Sequence, residues 1–337
     1  MSIAVKFERT RQLGLVREVA RGIRWIRIPL PFSPFAVNCW ALRDGDGWLI
    51  VDTGAFMEEA LECWRGVMRE LGAPSAPVRL LVSHAHPDHC GSAGWFCRSF
   101  GASLLMSRAD WLLATMYGQE IQPAIEERNA AFYRLCDVDG DDFVALMSGD
   151  PSYRYIETMP TIYRRLADGD RIEIDGSPWR VITAGGHCPE HICLYSDELK
   201  VLIAGDHILP RIVPTVGASP FEPEADALGD YLGSLSKFRT LSPDTLVLPG
   251  HGTPFTGLHA QIDALEAFYR DDLQAICDAC ITPTSIRNLV NRVATHPPEL
   301  RALRLLLAEK AARLNTLVAQ RRIKRTIDDG VWMHERV

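Results

Sequence analysis

Apolar residues recur along this chain first with the period of strands and then with that of helices. Ile23-Arg24-Trp25-Ile26-Arg27-Ile28-Pro29-Leu30 and Val37-Asn38-Cys39-Trp40-Ala41-Leu42 read as strands. Asp44-Gly45-Asp46-Gly47 supplies turn residues that join the second of them to the apolar run Trp48-Leu49-Ile50-Val51, which ends in Asp52-Thr53-Gly54. Met57, Ala60, Leu61, Trp64, Val67, Met68 and Leu71 then fall on one helical face, closed by Gly72. The strand Val78 to Val82, a helix through Trp95 and Phe96, and the strand Ala102 to Met106 follow. Alternation of this kind opens a layered α/β domain.

From about 109 to 165 the pattern is helical, with Trp111, Tyr117, Phe132, Tyr133, Tyr153 and Tyr155 interspersed. An insertion of this length between sheet strands predicts a lid or binding element. Strands resume at Arg171 to Ile174, Trp179 to Thr183, Ile192 to Tyr195 and Val201 to Ala204. A helix from Asp226 to Phe238 and the strand Thr245 to Leu248 complete the series. Beyond Thr256 the chain turns helical, and its end, a helix running into a basic strand, an Asp-Gly turn and an apolar strand, resembles a degenerate winged helix. The expected organisation is a domain over 1–256, with its insertion, and a C-terminal helical domain over 257–337.

Composition narrows the class without naming a function. At 337 residues, 47% hydrophobic and 23% charged, the chain is that of a globular protein. A net charge of −7 gives no electrostatic footprint for nucleic acid. The first residues lack the apolar core of a signal peptide, and no run approaches a membrane span, so a cytoplasmic location is expected without a membrane partner. Nine cysteines, an odd number at irregular spacing, do not form a secreted disulfide framework, and Cys277-Asp278-Ala279-Cys280 has no second pair with which to complete a zinc site.

The chemistry concentrates in Ser83-His84-Ala85-His86-Pro87-Asp88-His89-Cys90-Gly91, where three of the ten histidines fall within six positions. Imidazole with carboxylate is the ligand set of zinc and similar divalent metals. His84 and His86 are two apart, so on an extended chain their rings share a face and can hold one ion. Asp88 and His89 follow the Pro87 turn and can offer themselves to a second. Three further signals come at strand ends: His187 on the turn Gly185-Gly186-His187-Cys188-Pro189-Glu190-His191, Asp206 after Val201 to Ala204, and His251 in Pro249-Gly250-His251-Gly252.

Together and in this order these segments resemble the H-x-H-x-D-H signature and later motifs of the metallo-β-lactamase superfamily, over roughly residues 20 to 256. The resemblance implies a four-layered αββα sandwich with a helical insertion. It implies that His84, His86 and His187 hold a first metal, that Asp88, His89 and His251 hold a second, and that Asp206 bridges the two. Asp88 and Asp206 are then the carboxylates at the reacting centre, and Asp52 orients a ligand imidazole. His191 matches the second histidine of a G-H-x-x-G-H turn, although Glu190 stands in place of its glycine, which puts the local backbone shape in question. His207, His259, His296 and His334 match no role.

Relatives that carry out redox chemistry with two irons have Glu at the position of His86, and secreted β-lactamases with three histidines on their first metal have Cys at that of Asp206. The resemblance therefore implies a glyoxalase II-like hydrolase. It would hold two divalent ions, zinc before iron or manganese, and use hydroxide formed between them on a small carbonyl substrate, thioester before lactone. Arg211, just past Asp206, is placed to meet an anionic group on that substrate. A mononuclear iron persulfide dioxygenase and a nuclease are the competing readings, and a second copy of the chain is the expected macromolecular partner.

Overall fold

The computed structural model describes residues 3–5, 12–14, 16–72, 78–119, 122–147, 150–293 and 298–337. Two seven-stranded sheets face each other. The first runs in the order Arg17–Ala20, Ile23–Pro29, Ala36–Asp44, Gly47–Val51, Val78–Leu81, Ser103–Met106 and Arg164–Arg165. The second runs Ala4–Val5, Phe255–Thr256, Leu246–Pro249, Val201–Gly205, His191–Ser196, Ser177–Ala184 and Arg171–Ile174.

Alternation along the strands builds three apolar layers. Leu49, Val51 and Ile203 point between the sheets, with Trp25 stacked on Trp40 at 6.2 Å. Ile50 points out to the helices Glu58–Glu70 and Ala93–Phe100, where it shares a core with Trp64 and Phe96. Leu202 points the other way, to Ala227–Phe238 and Leu258–Ala279. The αββα expectation is met. The short strands Arg17–Ala20 and Phe255–Thr256, which lack a long apolar run of their own, are additions to it.

The parallel strands position the chemistry. Gly47–Val51, Val78–Leu81 and Ser103–Met106 run parallel, as do Val201–Gly205 and Leu246–Pro249. The carboxyl ends of four of these five strands lead into Asp52, His84, Asp206 and His251, the usual location of a ligand site in α/β sheets.

The insertion forms the helices Arg108–Gln119, Gln122–Leu135 and Gly140–Met147 and a short turn of helix at Pro151–Tyr155. After Leu258–Ala279 the tail continues through Thr284–Ser285, the helices Ile286–Val293 and Leu300–Ala319, and a hairpin of Ile323–Asp328 with Val331–Arg336. It is bonded to the insertion, since Ser285 Oγ donates to Asp137 at 2.6 Å and Arg287 pairs with Asp142 at 2.7 Å. No helix among the described residues is long and apolar enough to cross a membrane.

Candidate metal centre

Asp52 sets the geometry from below. It follows an apolar strand and takes a left-handed backbone, φ 65°. Its carboxylate thereby accepts from Ser83 N at 2.7 Å, from Ser83 Oγ at 2.8 Å and from His89 Nδ1 at 2.8 Å. With its own hydrogen committed to Asp52, the Ser83 hydroxyl accepts from His84 Nδ1 at 2.9 Å. Both rings are thus fixed with Nδ1 held from behind and Nε2 turned to the centre.

His86 lies on extended chain, and Pro87 starts the short helix Pro87–Cys90 that carries Asp88 and His89. His84 Nε2 comes to 3.0 Å from His86 Nδ1 and 3.3 Å from His187 Nε2. His187 is held from behind by Thr215 O at 2.7 Å. On the other side, His251 Nε2 lies 3.2 Å from Asp88 and 3.3 Å from Asp206, and His89 Nε2 lies 3.4 Å from Asp206 Oδ1. Asp206 also approaches His187 Nε2, at 3.9 Å. The seven side chains form two groups, with Asp206 between them.

Electrostatics divides the groups in the same way. Burial first, and neighbouring imidazoles second, hold His84 well below the usual imidazole range and bring His86 down to about 3, and burial also lowers His187. Around the carboxylates burial is outweighed. Asp206 and Asp88 raise His251 to about 10, and Asp206, Asp52 and Asp88 hold His89 well above the usual imidazole range. Against burial, His89 and His251 keep Asp88 and Asp206 well below the carboxylate range. The first group is thus held neutral, while His89 and His251 keep protons that a cation in their place would displace, since metal ligation uses neutral imidazoles and ionised carboxylates.

The residues fit such an ion. His89 Nε2 and Asp206 Oδ1 are buried side by side, and neither makes a hydrogen bond of acceptable geometry. Leaving such a group unmet costs about 1–3 kcal/mol each. A divalent cation among these donors answers both. Donor atoms converge within 4.8 Å in three overlapping sets: His84, His86, His187 and Cys188; His84, His89 and Asp206; and Asp88, His89 and His251.

His191 is buried and accepts from Asp206 N at 3.2 Å, with its ring stacked on His84 at 4.7 Å. It supports the strand end that presents Asp206. Glu190 keeps an ordinary backbone and accepts from Ala109 N at 2.9 Å, capping Arg108–Gln119, while Gly186, φ 99°, makes the turn. Arg211 is exposed at φ 57° and lies outside the cavity lining. The guanidinium groups that do line that cavity, of about 740 Å³, are Arg128, Arg154 and Arg304, beside Tyr117, Tyr153, His86 and His187. His207 and His334 are buried, His259 bonds Leu241 O, and His296 lies outside the described residues.

Two residues that the motifs did not point to hold the ligand loops. Asp110 accepts from Ala85 N, between the first two histidines, at 2.9 Å and from Glu190 N at 2.8 Å, and burial raises its carboxyl to about 6. Asn38 donates to Pro249 O at 2.9 Å and Gly252 O at 3.0 Å, on either side of His251. Gly250 packs so closely that a Cβ there would collide with Asp206 Oδ1 and come within 2.8 Å of His89 Cε1. Gly250→Ala is expected to displace the carboxylate and weaken metal binding at least about tenfold with the fold intact. Metal analysis beside circular dichroism checks this, and full metal content would show that Asp206 does not need that space.

The chain matches the model of the Metallo-beta-lactamase superfamily over residues 32–251. The crystal structure of a beta-lactamase domain protein from Burkholderia ambifaria is 34% identical, with a TM-score of 0.86 over 99% of each chain. A hydroxyacylglutathione hydrolase of Haemophilus influenzae is 23% identical across 66% of this chain and 89% of its own. An acyl-coenzyme A thioesterase of Bos taurus is 23% identical across 71% and 81%.

Proposed function

From the premise that the chain belongs to the metallo-beta-lactamase superfamily, we propose that it is a dinuclear zinc hydrolase that cleaves small thioesters in the cytoplasm. The observation that carries this reading is Asp206, whose carboxylate lies within 3.3 to 3.9 Å of donors in both groups. His84, His86 and His187 would hold one ion and Asp88, His89 and His251 the other, with Asp206 shared. Such a pair supplies Lewis acidity and brings the pKa of water from about 15.7 towards 7.

The chain's own residues do the rest. Asp52 and Ser83 orient the rings of His89 and His84, and Asp88 and Asp206 stay ionised at the reacting centre, as ligands to a cation would. The cavity opens beside His86 and His187, and its mixed tyrosine and aliphatic wall excludes bulk water from an acyl chain. A thioester suits this arrangement because its thiolate leaves without protonation, so no positioned acid is required. The two thioester hydrolases among the relatives support the same class. Nine free cysteines support a reducing compartment.

The order of helix, strand, two helices and hairpin supports the winged-helix reading of the tail. Its helix Leu300–Ala319, however, buries Lys310, Arg313, Asn315 and Thr316, which argues against a nuclease that reads nucleic acid with that helix. Turnover is expected to favour acyl-coenzyme A or acyl-glutathione thioesters over β-lactams of similar size by about 10²-fold or more in kcat/KM. Faster cleavage of β-lactams would overturn the assignment.

A further inference from the structure

Four of the five histidines at the centre have an oxygen partner on the ring nitrogen that faces away from it. Ser83 Oγ serves His84, Asp52 serves His89, Thr215 O serves His187, and Ala36 O serves His251. His86 enters the other way round. Its Nδ1 faces His84, so its Nε2 points outward, and there, among the described residues, it meets Cys188 Sγ at 3.7 Å. Cys188 is buried directly after His187, and the carboxylate of Asp110 lies against the same two segments, accepting from Ala85 N beside His86 and from Glu190 N two residues beyond Cys188. Asp110 is itself fully buried and anchored by Ala85 N, Glu190 N and the Ser107 hydroxyl.

We propose that Cys188 is a positioning residue whose thiol relays between His86 and Asp110. His86 Nε2–H donates to sulfur, and the S–H donates to the Asp110 carboxylate. This chain of bonds selects the tautomer that leaves His86 Nδ1 with its lone pair towards His84. A thiol suits the gap because it both donates and accepts, and because sulfur bonds at longer range than oxygen. The relay gives His86 the buried carboxylate support that Asp52 gives to His89, through one intervening atom. It also accounts for Asp110, which otherwise would be only a staple between two backbone segments.

The inference rests on the metal-binding reading above, so its test reads metal directly. Cobalt(II) affinity is measured by chelator competition on the wild-type protein, Cys188→Ala and Cys188→Ser, together with the cobalt absorption spectrum and the melting temperature of each metal-free protein. Cys188→Ala is expected to bind its first cobalt about 10- to 100-fold more weakly. Cys188→Ser, which keeps a donor and an acceptor, recovers most of that loss, and the metal-free melting temperatures agree. Unchanged affinity in Cys188→Ala, or a serine variant as weak as alanine, overturns the relay alone. A thiolate-to-cobalt band in the near ultraviolet that disappears in Cys188→Ser makes Cys188 a direct ligand and likewise overturns it. A wild-type protein that binds no cobalt overturns the metal reading and the relay together.

Discussion

Asp206→Ala is expected to leave a folded protein that has lost most of its metal from both positions, with kcat/KM for a thioester reduced at least about a thousandfold. Removal of a single oxyanion donor costs about 10²–10³-fold in a serine protease, and this carboxylate serves both groups of donors at once. His251→Ala removes a side chain whose Nε2 meets Asp88 and Asp206 and none of His84, His86 and His187, so it is expected to empty mainly the second position. Mass spectrometry of metal per chain, run beside the kinetics, separates the two variants. Full metal content in Asp206→Ala would sink its bridging role.

Asp52→Ala has the second largest expected effect, and it falls on stability as well as on metal. Asp52 is 1% exposed and accepts three hydrogen bonds, from Ser83 N, Ser83 Oγ and His89 Nδ1. Alanine leaves those donors buried without an acceptor and also disfavours the left-handed backbone at this position. Loss of one partner of a buried charged pair costs about 3–5 kcal/mol, which for a chain of this size lowers the melting temperature by on the order of 10 °C. Metal affinity is expected to fall about 10- to 100-fold. Asp52→Asn, which tolerates the same backbone and keeps one acceptor, should lose less on both counts. Melting curves with and without metal check this, and an alanine variant that melts and binds like the wild type would refute it.

What could be read beforehand followed how local each signal is. His84 to His89 is contiguous, so its chemistry and its two-apart spacing were visible in the sequence, and the structure brings those rings together as the spacing implies. Asp52, Asp206 and His251 stood out because each ends an apolar strand. Asp110 did not, because beside Ser107 it reads as an ordinary helix-capping residue. Its partners Ala85 and Glu190 lie 25 and 80 residues away. Asn38 was hidden in the same way, since it reaches across 211 residues to Pro249. Arg211 shows the opposite case. Nearness to Asp206 in sequence pointed to it, but the left-handed turn at Arg211 leaves it outside the cavity, whereas Arg128 and Arg304 arrive there on helices far along the chain.

The helix Leu300–Ala319 brings Arg304, Leu305 and Ala308 to the cavity wall, and Ala308 O accepts from Ala218 N at 2.9 Å on the opposite lining. On the proposed function, substrate choice is split between the sandwich that carries the ligand candidates and a segment that begins almost 50 residues after the last of their histidines. A graft of the sandwich alone onto another tail would carry the reaction but not the selectivity. Conversely, drift in a few tail positions could retarget the enzyme while every ligand stays in place.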